Sequence, residues 1–425
     1  MPVKYQEAID FLFPLCRFGM KPGLERVLRL LRAAGDPQKS LGKVVHVAGT
    51  NGKGTVACAT AAVFSAAGYT TGLYTSPHLV SFTERFRVNG SKIPESRVAA
   101  YSTVLKKDII AGKATFFEAA TAIAFMYFSD MAVDVSVIET GMGGRLDATN
   151  VVEPDYVIIP SIGRDHTGWL GETIGEIAAE KAAIIKKGSR VYTAVQDSEA
   201  LGPIFERADA VGARVTVLQD TAECAVHSAS VGQLDFSLKA PGISFQNLKT
   251  PVTGDFHVSN LSLAALVACD AGVEESSVRE GLLSIQGYGY RARLERLSRK
   301  PDLLLDVAHN PDGIEKSVGV LRGFQDVYRN VLVVLGVVRD KDATGMVRCL
   351  KKLTNTVITV NLPSERGMSS SELGALCSSE GFRVTIAETA GEALDVVRGV
   401  AGEDDLVLIT GSFYLAGEVL KVLDS

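Results

Sequence analysis

Residues 44–55, VVHVAGTNGKGT, place a β-branched apolar run ahead of three glycines and a lysine. The valines favour a buried strand. Gly49, Gly52 and Gly54 let backbone amides turn inward, and TVACATAAVFSAAGY then reads as a helix closed by Gly68. A helix amino terminus behind such a turn is an anion site. The common phosphate loop keeps a glycine at a fixed distance before its Gly-Lys pair, with Ser or Thr directly after the lysine. Here Val47 takes the first position and Gly54 separates Lys53 from Thr55. The physics survives the altered spacing: Thr50, Asn51, Gly52 and Gly54 would wrap a phosphate chain. Lys53 would bridge the outer phosphates, and the Thr55 hydroxyl would face a magnesium ion.

Working outward, VDVSVIETG (133–141) and PDYVIIPSIG (154–163) read as strands with glycine at their carboxyl ends. IGEIAAEKAAIIKKG (174–188) predicts one amphipathic helix running into its lysines and stopped by Gly188. Strands alternating with helices predict an α/β fold with a mostly parallel sheet. QGYGYRAR (286–293) reads as a junction, after which DLLLDVAHN, NVLVVLGVV, NTVITV, FRVTIA and DDLVLITGSF restart the rhythm. The expected organisation is a P-loop-type domain over 1–288 and a smaller Rossmann-like α/β domain over 289–425, with an antiparallel patch within 209–250.

At 425 residues, two domains are the natural division. A net charge of -5 argues against a nucleic-acid binder held by phosphate neutralisation. The six cysteines form no C-x-x-C pair, which fits a reducing compartment. The opening MPVKYQEAIDFLFPL lacks the order of a secretory signal, and VACATAAVFSAAG is too short to span a bilayer. The expectation is a cytoplasmic monomer that acts on small molecules, with neither nucleic acid nor membrane as partner.

Glu139 closes one strand, His166 follows the next and Ser76 follows a third. Ligands of α/β proteins lie at such strand ends, and these donors with Thr55 suit a partly hydrated magnesium ion. Lys181, inside a helix beside Glu180, reads on pattern alone as a solvated or paired surface residue. Asn260 reads as an ordinary helix cap.

HVAGTNGKGT, YTSPHLVSFTERFRVNG, FFEAATAIAF, ETGMGGRLDATNVV, SIGRDHTGWLG, IAAEKAAIIK, LDVAHNP and GSFYLAGEV occur in this order along nearly the whole chain. Together they resemble the folylpolyglutamate synthase and dihydrofolate synthase family of the Mur ligase superfamily. The resemblance implies an ATP-dependent ligase that adds L-glutamate to a folate, to dihydropteroate or to both, through an acyl phosphate. It implies magnesium positions at Ser76, Glu139 and His166, catalytic roles for Lys53, His166 and Lys181, and carbamylation of Lys181. Ala183 stands where the family usually has glycine. ATP contacts are implied at Asn260, Asp306, His309 and an arginine of YRARLE, where Arg293 aligns best and Arg291 is the alternative. Acceptor contacts are implied in KPGLERV (21–27) at Gly23 and Leu24, at Thr115, Phe116, Phe117 and Glu118, and at Leu146, Asp147 and Ala148, with Arg145 near a carboxylate. A monovalent cation is a further candidate cofactor. A cell-wall Mur ligase and a non-catalytic nucleotide-binding protein are the competing readings. The first is disfavoured by the folate-type motif after Ser76, and the second by the joint presence of Lys53, Glu139, His166 and Lys181.

Overall fold

The computed structural model describes residues 4–18 and 23–424. The strand read from VVHV is β1 (Lys43–Val47), buried except at Lys43. It lies inside an eight-stranded sheet whose other members are β2 (Thr71–Tyr74), β3 (Phe86–Val88), β4 (Ser91–Lys92), β5 (Val135–Glu139), β6 (Tyr156–Ile159), β7 (Arg190–Thr193) and β8 (Arg214–Val217). The order is β4-β3-β2-β5-β1-β6-β7-β8; β3 and β4 are antiparallel and the other six strands parallel. Parallel pairing puts the carboxyl ends of β1, β2, β5 and β6 on one edge, so Lys53, Ser76, Glu139 and His166 start from neighbouring positions.

One face of the sheet carries the helix Lys53–Ala66, which is buried from Gly54 to Phe64. Its small residues allow two further helices, His257–Asp270 and Glu275–Leu283, to pack closely on it. At Gly281 an added Cβ would fall on the Val63 backbone. Gly281→Ala is therefore expected to lower stability by about 1–3 kcal/mol, read as a lower urea midpoint. The other face packs the helices Glu95–Gly112 and Phe116–Asp130 around Phe82, Phe86, Phe125 and Phe128.

The antiparallel patch is a three-stranded sheet of β9 (Glu223–Ser230), β10 (Gln233–Ala240) and β11 (Ile243–Thr250). RVTV, expected within that patch, instead joins the large sheet as β8.

The helix predicted over 174–188 ends at Ala182. The Glu180 carbonyl, which would accept the next helical bond, accepts the Arg145 N–H at 2.9 Å instead. The Ile184 N–H turns to the Lys181 carbonyl, and Ile184 and Ile185 fold into the core. Lys186 and Lys187 lie beyond the helix.

The third sheet contains β12 (Glu295–Ser298), β13 (Asp302–Leu305), β14 (Val331–Leu335), β15 (Thr356–Val360), β16 (Arg383–Ala387) and β17 (Leu406–Thr410). Its order is β12-β13-β17-β14-β15-β16, parallel except for the edge strand β12. The chain passes between the large sheet and this one through 289–294, where Gly289, Ala292 and Leu294 have positive φ. Among the described residues no helix is long and apolar enough to cross a membrane.

Candidate active site

The carboxyl edges of the large sheet and the third sheet face one cavity of about 1210 Å³. Its wall includes the whole loop 49–55, Ser76, Glu139, His166 and Lys181 from the first side, and Asn260, Arg293, Asp306 and His309. Gly52 has φ +85°, and a Cβ there would meet the Asn260 side chain; a Cβ on Gly54 would meet the Arg293 guanidinium. Both glycines are thus needed for close approach. Arg293 covers the loop, while Arg291 is paired with Glu295 at 2.6 Å.

The loop is held by reciprocal bonds. The Thr50 hydroxyl donates to the Gly163 carbonyl (3.0 Å) and accepts from the Gly163 N–H (2.9 Å). The Ser161 hydroxyl accepts the Asn51 N–H at 3.0 Å and donates to the Asn51 carbonyl at 2.9 Å. Lys53 Nζ donates to the carbonyls of Gly49 (3.0 Å) and Thr50 (3.1 Å). Lys181 Nζ donates to the same Gly49 carbonyl at 3.0 Å.

Lys181 is 4% exposed. Burial, followed by repulsion from Lys53, brings its pKa down from 10.5 to about 7. The unfolded chain therefore holds a proton between about pH 7 and 10.5 that the fold does not, so this group adds stability as pH rises through that window. In carbon-dioxide-free buffer, Lys181→Met is expected to exceed the parent in stability near pH 6. That gap should narrow towards about pH 9 in urea unfolding. A gap independent of pH would contradict a depressed amine.

Glu139 is buried, and its Oε2 accepts the Ser76 N–H at 3.1 Å. Burial raises its pKa against the opposing pull of Lys53. His166 stands at φ +53° beside Asp165, and burial lowers its pKa. Asp306 accepts the Ser317 hydroxyl at 2.6 Å and is pushed up to about 6 by burial. His309 Nδ1 lies 2.9 Å from the Val307 carbonyl, which can only accept; that tautomer leaves Nε2 with a free lone pair.

The acceptor segments are placed differently. Phe116 reaches the cavity and packs on Phe82 at 5.4 Å between ring centroids. Phe117 stacks on Tyr74 away from the lining. Thr115 and Glu118 form a capping box, and Glu118 also holds Arg26 at 2.9 Å. Asp147 Oδ2 accepts the N–H groups of Gly141 and Met142, each at 2.9 Å, and Oδ1 accepts the Thr149 N–H (3.0 Å) and hydroxyl (2.5 Å). Asp147 thereby shapes the turn after β5. Leu146 is exposed, Ala148 is core and Arg145 pairs with Glu180. Gly23 and Leu24 precede the helix Glu25–Ala33 outside the cavity wall, and Lys21 and Pro22 lie outside the described residues.

Residues given no role by the sequence reading also converge here. Lys341 Nζ meets Asp165 at 2.7 Å across the two sides, with both side chains largely buried. Burial would raise the Asp165 carboxyl, but His166 and Lys341 hold it at about 2. Asn51 Nδ2 donates to Asp312 at 2.6 Å across the same cleft. The run RDKD just past a strand was the available signal for Lys341. Arg85 is also on the wall, its Nε donating to His78 Nδ1 at 2.8 Å.

Residues 47–268 match the Mur ligase middle domain and residues 292–413 the glutamate ligase domain of Mur ligases. Dihydrofolate synthase/folylpolyglutamate synthase of Bacillus subtilis is 34% identical, covering 99% of both chains. The chain belongs to this Mur ligase family. The Escherichia coli enzyme of the same name is 34% identical over 95% of this chain and 92% of its own. Among solved structures, E. coli FolC in complex with DHPP and ADP superposes with a TM-score of 0.88 at 30% identity, covering 98% of this chain and 97% of that one. Mycobacterium tuberculosis folylpolyglutamate synthase complexed with ADP gives 0.89 at 30% identity, with 98% and 99% covered. This chain is thus an α/β member of a family of ATP-dependent ligases.

Proposed function

We propose that this cavity joins L-glutamate to a folate, to dihydropteroate or to both. The supporting observation is the convergence of Lys53, Glu139 and Lys181 with Arg293 and Asp306 around one cleft between two sheet edges. A carboxylate resists amines because its leaving group is poor. Attack of its oxygen on the terminal phosphorus of ATP forms an acyl phosphate and releases ADP. The glutamate nitrogen then attacks the acyl carbon, loses a proton, and phosphate departs as the amide forms. Two anions must meet in the first step, so fixed positive charge is what the site has to supply.

Lys53, held within the loop, and Arg293, packed over Gly54, would hold the phosphates. Asn51 and Thr50, locked to the next strand's loop, keep the amides aimed. Asp306, His309 and Asn260 would contact the nucleotide. The donors Thr55, Ser76, Glu139 and His166 fit magnesium, since one carboxylate with hydroxyls leaves room for water and phosphates. Bound magnesium would neutralise charge on the transferring phosphoryl. Lys181, uncharged in part near neutral pH, can attack carbon dioxide through its nitrogen and lose a proton, giving a carbamate anion.

For the acceptor, Phe116 offers an aromatic face, while Gly23, Leu24, Thr115, Phe117, Glu118, Leu146, Asp147 and Ala148 would shape its surroundings. The divisions 1–288 and 289–425, a monomeric state, a cytoplasmic location and any monovalent-cation requirement belong to the same proposal. Incubation with ATP, magnesium and glutamate plus dihydropteroate, tetrahydrofolate or a muramyl nucleotide, followed by product mass, tests it. Glutamate gained by either pterin compound supports the reading. Gain only on the muramyl nucleotide, or on nothing, overturns it.

A further inference from the structure

Tyr290 stands in the junction between the large sheet and the third sheet, three residues ahead of Arg293, and is 2% exposed. A phenol so buried must place its hydroxyl hydrogen, because an unmet donor in the interior is costly. Two groups flank the oxygen, the Arg293 carbonyl at 3.3 Å and His257 Nε2 at 3.0 Å. The carbonyl can only accept, so the hydroxyl donates to it and His257 donates to the hydroxyl. His257 fits that role. Burial lowers its pKa to about 3, and its Nδ1 has no partner among the described residues, which leaves the neutral ring's proton for Nε2. The Tyr290 ring centroid also lies 5.7 Å from the Arg293 guanidinium carbon, within reach of a cation–π contact. One side chain thus touches Arg293 at both ends, the carbonyl and the charged head.

The backbone around Arg293 needs such support. Ala292 and Leu294, on either side of it, sit at φ +54° and +49°, a region that residues with a side chain rarely adopt. Turns of this kind persist only where surrounding contacts over-determine them. The Ala292 N–H is taken by Glu295 at 2.7 Å, and the chain from His257 through Tyr290 ties the Arg293 carbonyl to the large-sheet side. His257 opens the helix His257–Asp270, three residues before Asn260 and on the same face of it. Asn260 covers Gly52 and Arg293 covers Gly54, so both grips on the phosphate loop hang on one helix end. Resting on the proposed function, in which Arg293 holds the phosphates, we infer that Tyr290 is a positioning residue. It carries the register of that helix to Arg293 and so fixes the guanidinium over Gly54 before the nucleotide arrives.

A double-mutant cycle tests this by binding alone. Affinity for the β,γ-methylene analogue of ATP with magnesium is measured calorimetrically, without acceptor or glutamate, on the parent, Tyr290→Phe, Arg293→Ala and the double variant. Arg293→Ala is expected to weaken binding about 10- to 100-fold, as for a lost charge-assisted contact. Tyr290→Phe keeps the ring and loses the hydroxyl, and should weaken binding about 3- to 10-fold. In the Arg293→Ala background the same change should alter affinity by less than about twofold, because the hydroxyl acts through the arginine. In turnover, Tyr290→Phe should raise KM for ATP by a larger factor than KM for glutamate. Equal weakening by Tyr290→Phe in both backgrounds would make the hydroxyl a structural bond and overturn the assignment. So would no weakening in either background, or an Arg293→Ala variant that binds like the parent. If Tyr290→Phe does not fold, His257→Leu, which cuts the same chain one bond earlier, goes through the cycle with the same expectation. The cycle needs no turnover, so absent ligation would defeat the proposed function while this assignment is judged separately.

Discussion

Lys53→Ala is expected to reduce turnover about a thousandfold or more, with the protein still folded. The lysine opens the helix behind the loop and is held by two loop carbonyls, so its ammonium is placed before any phosphate arrives. Removing one preorganised donor from a charge-stabilising site costs about 3–4 kcal/mol in the barrier, and a full cation at a phosphate is worth at least as much. Steady-state kinetics at saturating ATP measure the effect. The same variant should show a second change, because Lys53 repels the ammonium of Lys181. Without it the Lys181 pKa should rise, which a pH series of amine modification would detect. Near-normal turnover in Lys53→Ala would mean that the loop does not hold the reacting phosphates.

Glu139→Gln is expected to lower turnover about a hundred- to a thousandfold, with only partial recovery as magnesium is raised. Glu139 is buried at the end of a central strand, held by the Ser76 N–H and without a neutralising ion pair among the described residues. The amide keeps the shape and loses the charge. The apparent magnesium requirement should rise about tenfold or more, read from turnover against free magnesium. Unchanged magnesium dependence would take Glu139 out of the metal site.

The glycine loop and its flanking strand were legible in the sequence because local chemistry dictates both: valines for extension, glycines for the turn, a small-residue helix behind. That Glu139, Ser76 and His166 share an edge followed from parallel pairing, although the strand order itself leaves no local trace. Arg85 was hidden for a related reason. In TERFRV it looks like the polar member of an alternating strand, and only burial without a counter-ion among the described residues sets it apart. The Asp165–Lys341 pair joins residues 176 positions apart, beyond the reach of any periodicity. The helix ending at Ala182 depended on a distant amide claiming one carbonyl. Capping and packing also occupy Thr115, Glu118 and Asp147, so a matching motif located the neighbourhood there without separating scaffold from contact.

Ion pairs withdrawn from water gain little net adhesion, since attraction is largely offset by lost hydration. Across the cleft, the Asp165–Lys341 pair is therefore a better aligning pin than glue, and the exposed hydrogen bond from Asn51 to Asp312 likewise aligns more than it holds. A pin sets register without setting grip. Grip comes from apolar contacts, with Val231 and Phe256 packed into one core of the third-sheet side and Leu79 against the other, and a multiply charged molecule in the cleft would add to a contact already made.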